Sequence, residues 1–585
     1  MTTLQTESLT LSRCGAYWHY APDEVQIEEM MRENGLSREL AACCALIGLS
    51  AGDEVASFLS PSAKDFHDPM LMLGMERAVE RFRRAILDKE PILVVTDYDV
   101  DGTMSSLILQ AVLKICGHSL VSFHIPDRQD EGYGFSMKAA EKAAADGIRL
   151  IVTADIGVRD EASIAHAKSC GIDVIVLDHH LPPGAGVPAS AYAVLCPPQA
   201  GCSYPNKALA ACGISFKFAQ AMLKEHPKYE GLLRSLAKLA CLGTVADIVS
   251  LRERENREIV TLGLDALNHD AHKPGVEALL NVSRMSRGTI SSSDIGYSIG
   301  PRINAAGRLA SATLIIDLIQ ANNRVQAQGL AAKLDAMNGD RQRIQEAMVA
   351  RAVAEVGDSN APFVVVALPV SADWHSGVSG IVAGRLKELL HRPVAVATIE
   401  GDMMTGSVRS TPGIHAVKAL TSVSQYLTKY GGHAAAAGFS GPAESLEAFC
   451  VGLWENAMQQ LNGDVETQVT DVALCLQPAE VTFELFEDLS RLEPCGCQNN
   501  TPLICLKNVR FRDVRVLKEK HLSACVIDTP CDLKCLWFSA PMTAAEMAEG
   551  EFHVVGELKR EVWNGRVQHK LLIRDICMSH EHVFV

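Results

Sequence analysis

Between residues 90 and 200 the apolar positions fall in short unbroken runs, each of which stops at an acid. Ile92 to Val95, Leu150-Ile-Val-Thr153 and Val174-Ile-Val-Leu177 read as buried strands, and Met104 to Cys116 has helical apolar spacing. Continuous strands alternating with helices predict an α/β domain whose parallel sheet brings its strand ends to one edge. Further along, Leu330, Leu334, Met337, Ile344 and Met348 keep helical spacing across 325–356, which predicts a long connecting helix with a kink at Asn338-Gly339. Strand-like Phe363-Val-Val-Val-Ala367 and Val394-Ala-Val-Ala397 then alternate with helical stretches. From about Gly463 the chain turns β-rich and ends in a hairpin signal, Trp563-Asn-Gly-Arg566.

The chemistry sits where the first strands stop. Asp97, Asp99 and Asp101 alternate in Val94-Val-Thr-Asp-Tyr-Asp-Val-Asp-Gly102; Asp155 opens Asp-Ile-Gly157, and Asp178-His179-His180 follows the third run. A lone acid at a strand end most often caps the next helix. Several acids within a few ångströms repel one another unless a cation or backbone donors offset them, so their recurrence points to a divalent-metal site. Asp247, in Gly243-Thr-Val-Ala-Asp247, is a further candidate.

These segments resemble, in order, the four metal-site motifs of the DHH phosphoesterase superfamily, and within it the RecJ-type single-strand-specific exonucleases. Gly300-Pro-Arg302-Ile-Asn304-Ala-Ala-Gly307-Arg308, Trp374-His375-Ser-Gly377 and Gly431-Gly-His433-Ala-Ala-Ala-Ala-Gly438 are similar to the later motifs of that family. Ile156, Ser250, Asp373 and Val408 depart from its usual pattern, and none stands at a ligand position by homology.

The resemblance implies a DHH catalytic domain with a parallel sheet over 41–320, after an N-terminal lead-in of 1–40. A connecting helix over 321–357, a DHH-associated α/β domain over 358–462 and an OB-type β-barrel over 463–585 would complete the chain. It implies two Mn²⁺ or Mg²⁺ ions held by Asp97, Asp99, Asp155, His179 and Asp247, with His180 facing the scissile phosphate. Asp178 is expected to orient a histidine, and Asp101 to bind metal or to cap the helix after Gly102. Arg128, Arg302, Asn304, Arg308, His375, Ser407, Arg409 and His433 are the implied substrate contacts, with the loop Gly406-Ser-Val-Arg-Ser410 taking a 5′-phosphate. The implied activity is 5′-to-3′ hydrolysis of single-stranded DNA to 5′-mononucleotides, in repair and recombination. A monomer is expected, with a single-strand-binding protein and a helicase as collaborators.

Composition narrows this picture at a few points. A 585-residue chain is too long for one core. A net charge of −16, from 54 basic and 70 acidic residues, argues against a broad cationic coat for duplex DNA. The densest basic run, Lys507 to Lys520, interleaves cations with Val and Phe, as either a strand-binding patch or a solvated sheet face. No apolar run reaches about 18 residues, so neither a membrane helix nor a leader is expected, and the 18 cysteines read as reduced thiols of a cytoplasmic protein. Two other functions share part of the pattern. A DHH hydrolase of short RNA or cyclic dinucleotides has the first four motifs but is usually shorter, and an inert nucleic-acid-binding scaffold would not need the intact acids.

Overall fold

The computed structural model describes residues 10–62, 66–126, 134–184, 186–309, 311–357, 359–461, 469–563, 566–581 and 583–585. Two compact units form: Met1–Gly307, Ser311–Ala332 and Val469–Val585 make the first, Arg308–Ala310 and Lys333–Gln468 the second.

In the first unit, five parallel strands lie in the order Val121–His124, Ile92–Thr96, Leu150–Ala154, Asp173–Leu177, Ala193–Leu195. Ile92–Thr96 and Leu150–Ala154 are buried at every position, which is why they lack alternation. Val95, Ile151 and Val176 pack with Phe135 and Ile164 in one core. The helices Val100–Ile115, Ala211–Leu223 and Tyr229–Ala246 pack on one another, and the second is buried along its whole length, its Lys217 paired with Glu255 at 2.9 Å.

The same unit carries a seven-stranded sheet, ordered Leu474–Leu476, Ile504–Val509, Phe552–Trp563, Arg566–Met578, Leu533–Trp537, His521–Val526, Phe511–Leu517. Trp563 pairs with Arg566, in keeping with the hairpin signal, although Asn564 and Gly565 lie outside the described residues. This is the OB-type arrangement expected from sequence, with the sheet left unclosed among the described residues, where the outermost strands pair with nothing beyond them. One has three residues, and the other presents Arg512 and Arg515, a short edge and a charged edge that both oppose further pairing.

The described part of the N-terminal lead-in packs against that sheet and forms a separate two-stranded one. Tyr17–His19 pairs in parallel with Val469–Asp471, and Leu40 and Phe58 share a core with Leu474, Phe486, Ile504 and Leu571. The buried Arg257, on helix Arg254–His269, donates to the carbonyls of Phe58, Leu492, Glu493 and Pro494, which ties the catalytic part to the segment leading into the sheet.

The second unit holds a sheet ordered Lys429–Gly432, Ala436–Pro442, Met403–Arg409, Val394–Glu400, Val364–Pro369. Residues Arg324–Val356 form a single 33-residue helix that continues through Asn338-Gly339. Arg341 Nη2 donates to Asn338 Oδ1 at 2.5 Å, occupying the amide that would otherwise compete for backbone partners.

Candidate metal centre

The acids converge because three neighbouring parallel strands end on the same edge. Asp97 follows Ile92–Thr96, and Asp99 caps the next helix by accepting the Gly102 amide at 3.0 Å. A side chain at Gly102 would put its Cβ 2.4 Å from the Asp97 carbonyl oxygen, so only glycine lets the helix start this close to the strand end. Asp155 follows Leu150–Ala154 in the left-handed region, φ 65°, one of the residue types that tolerate it. Asp247 caps the carboxyl end of helix Tyr229–Ala246.

His179 Nε2 stands among them, 3.2 Å from Asp155 Oδ1, 3.6 Å from Asp247 Oδ2 and 3.9 Å from Asp101 Oδ2. That nitrogen is buried and has no hydrogen-bond partner. Asp97, Asp99 and Asp155 also bring one oxygen each within 4.8 Å of one another, as do Asp101, His179 and Asp247 with their own ligand atoms. Burial pushes Asp155 well above the usual carboxylate range, and the charges of Asp99, Asp101, Asp97 and Asp247 push it further. Asp247 is raised by burial and then by Asp101, Asp99 and Asp97, and Asp99 by burial and then by Asp101. Burial holds His179 below its ordinary value, leaving a neutral imidazole able to donate a lone pair. Crowded carboxylates around one imidazole suit Mn²⁺ or Mg²⁺, and the orphaned Nε2 is the group a cation would satisfy.

Asp178 and Asp101 are held differently. Asp178 accepts the backbone amides of Val158, His179 and His180 and the His180 Nδ1 at 2.7 Å. Burial raises it, but the hydrogen bond and charge of His180, the charge of His179 and the Val158 amide outweigh burial and leave it low. Burial in turn pushes His180 down, and the Asp178 hydrogen bond and charge overcome this to leave it above its ordinary value. Asp101 does not cap its own helix, as one sequence expectation had it, because that helix begins at Val100 and Asp99 is already the cap. Instead its two oxygens accept the amides of Ala211 and Cys212, both at 2.7 Å, and so cap a different helix. The available signal was an absence, since Ala210 and Ala211 offer no side-chain cap to a helix that must start there.

Arg302 and Asn304 lie on helix Gly300–Leu309. Its Gly307 packs against the Tyr98 backbone and its Gly300 against Ala246, next to the first and fourth motifs. A π-helical turn, Ile295–Ile299, leads into it, a feature sequence periodicity did not reveal and one frequent at functional sites. Arg302 donates to the Ser298 carbonyl. In the second unit Arg308 donates to the Gly377 carbonyl, and His375 Nδ1 accepts the Gly377 amide. Ser407 and Arg409 project from one face of strand Met403–Arg409. A Cβ at Gly380 would lie 3.0 Å from Arg409 Nη2 and 3.4 Å from Ser407 Oγ, so both meet the first turn of helix Ser379–Leu390. His433 occupies the turn before Ala436, which pairs with Arg409, so the two stand at one end of the sheet. Arg128 lies outside the described residues.

This fold and this acid-lined sheet edge define a metal-dependent phosphoesterase of the DHH class. Residues 91–244 match the DHH family N-terminal domain, 360–457 the DHHA1 domain and 472–575 the RecJ OB domain. The single-stranded-DNA-specific exonuclease RecJ of Bacillus subtilis is 32% identical over 573 residues, spanning 96% of this chain and 71% of the relative. Crystal structures of RecJ from Thermus thermophilus in complex with Mn²⁺ and with Mg²⁺ superpose with TM-scores of 0.80 and 0.74. Each is 26% identical and covers 96% of this chain, and the alignments span 80% and 79% of those chains. The chain belongs to the RecJ family.

Proposed function

We propose that this protein is a single-stranded-DNA-specific 5′-to-3′ exonuclease that releases 5′-mononucleotides, with Mn²⁺ or Mg²⁺ as its metal. The observation that carries this reading is the unpartnered, buried His179 Nε2 set among Asp155, Asp247 and Asp101, beside the Asp97, Asp99 and Asp155 cluster.

In this reading Asp97, Asp99, Asp155, His179 and Asp247 would hold two divalent ions. Bound there, the ions supply Lewis-acid stabilisation and a water of lowered pKa. Asp178 fixes His180 through Nδ1, so the opposite ring nitrogen is the atom His180 can turn to a phosphate oxygen or the leaving 3′-oxygen. Asp101 holds helix Ala211–Leu223 behind the acids. Arg302 and Asn304 contact the phosphates near the scissile bond. Arg409, Ser407 and the first turn of helix Ser379–Leu390 hold the 5′-terminal phosphate, as a guanidinium fork at a helix start is built to do. Arg308, His375 and His433 complete the grip, and Arg128 joins it by resemblance alone.

Residues 41–320 then carry catalysis, 358–462 direct the chain end and 463–585 bind the incoming strand, joined by 321–357 and preceded by 1–40. A monomer working in the cytoplasm with a single-strand-binding protein and a helicase is the setting this activity suits, because the enzyme does not open duplexes. No helix among the described residues is long and apolar enough to cross a membrane.

The test is to incubate the protein and Mn²⁺ with single-stranded DNA labelled at either end, a matched duplex and a short RNA. Labelled mononucleotide should appear at once from the 5′ end of the single strand alone. Preference for the RNA would make it an oligoribonuclease, and no hydrolysis would make it a binding scaffold.

A further inference from the structure

The C-terminal sheet contains a pair of cysteines that neither metal chemistry nor strand binding employs. Cys475 and Cys505 are directly paired in register on the adjacent parallel strands Leu474–Leu476 and Ile504–Val509, so their side chains leave the sheet on one face. Neighbouring strands lie about 4.8 Å apart, inside the window of about 4.4–6.8 Å between Cα atoms that a disulfide spans. Leu474–Leu476 is a three-residue edge strand held on one side only, so small shifts can bring the sulfurs to bonding distance.

The two thiols differ in the way a redox pair requires. Cys475 is half-buried at the edge, whereas Cys505 is wholly enclosed with Trp18, Val555, Cys577 and Val583. A hydrogen bond from Cys505, and then the Lys507 cation, hold Cys475 below the usual thiol range against the effect of burial. Cys505 is raised by the same hydrogen bond and by burial. Fourteen of the other described cysteines are pushed up, chiefly by burial, whereas Cys475 is held down.

We propose that Cys475 and Cys505 form an oxidation site, in which a peroxide converts the cross-strand dithiol to a disulfide. The Cys475 thiolate attacks one peroxide oxygen, the O–O bond breaks, and the departing hydroxide takes a proton to leave as water. The resulting sulfenic acid is attacked by the Cys505 sulfur, which loses its proton as the S–S bond forms and a second water departs. Two electrons pass from the thiols to hydrogen peroxide, which is reduced to two waters. The bond ties the strand that follows the chain's return from the second unit to the body of the sheet.

The experiment treats the full-length protein with graded hydrogen peroxide, blocks free thiols, and maps non-reduced peptides by mass spectrometry. A Cys475–Cys505 peptide should appear at lower peroxide than any other cysteine modification, and Cys475→Ser should abolish it while Cys505 remains a free thiol. Circular dichroism of the untreated variant checks that it folds. Accumulation of Cys475 sulfenic acid with Cys505 unlinked would overturn the proposal, as would earlier oxidation of exposed Cys170 or a Cys505–Cys577 link in its place.

Discussion

The acid-lined edge of the first unit and the Arg409 face of the second use opposite electrostatics. At the first, Asp99, Asp155 and Asp247 are each pushed up by burial and then by neighbouring carboxylates, Asp101 among them, an arrangement stable as a carboxylate cluster only around cations. At the second, Arg409 and Ser407 lie against the first turn of a helix, where partial positive charge adds to the guanidinium and an anion is the natural complement. The difference concerns what each place can do alone. In the proposed reading one site is incomplete without metal, and the other takes a phosphate without one.

The largest effects should come from breaking the first site. Asp155→Ala is expected to abolish hydrolysis with Mn²⁺ at any concentration while leaving the circular dichroism spectrum unchanged. Normal turnover at saturating Mn²⁺ would falsify the metal assignment. Chelation with EDTA should likewise stop turnover and lower the melting temperature of wild type, since an ion bound only by the folded state stabilises it. That melting shift should shrink in Asp155→Ala.

Next is the support of His180. Asp178→Asn should cost about 10–100-fold in kcat, the usual toll for losing a group that orients a partner at a metal site. Steady-state kinetics on 5′-phosphorylated single strands reads this, and an unchanged kcat would place His180 away from the chemistry. On the second face, Arg409→Ala should lose roughly tenfold in kcat/KM on 5′-phosphorylated DNA, the value of a charge-assisted hydrogen bond. Its activity on 5′-hydroxyl ends should be nearly unchanged. Equal loss on both ends would show that Arg409 does not read the terminal phosphate and would dissolve the contrast between the two sites.

The smallest effect sharpens the boundary of the acid cluster. Asp101→Asn should cost about 1–2 kcal/mol of stability, as expected for a damaged helix cap, measured by denaturant unfolding of the metal-free protein. Loss of activity without loss of stability would instead make Asp101 a ligand.

Much of the catalytic sheet was legible in the chain because buried parallel strands leave unbroken apolar runs, and Ile92–Thr96 and Leu150–Ala154 lie where those runs are. The second lobe was legible for a similar reason at Val394–Glu400. Partnerships were not legible. Nothing around Asp101 announces that its oxygens serve Ala211 and Cys212, because that pairing depends on how two helices meet over more than a hundred residues of chain. Arg257, whose guanidinium is enclosed among carbonyls from Phe58 and 492–494, looks in sequence like any helix-surface arginine. The OB-type C-terminal sheet was expected, but whether it closes was not legible, because closure is a property of its two edges and no local pattern records whether they meet.

The sequence by itself determined the residue types and their places at strand ends: Asp97, Asp99, Asp155, Asp178, His179 and His180 follow apolar runs whose period is local and whose direction is set by the parallel pattern. Only the tertiary structure decided that Asp178 is satisfied by amides, that Asp101 accepts two amides while also standing near His179 Nε2, and that Asp155 and Asp247 crowd around that nitrogen. The physical reason is range. Strand and helix periodicity arise from neighbours along the chain, whereas hydrogen-bond satisfaction and desolvation of a carboxylate depend on every group that folding brings within a few ångströms.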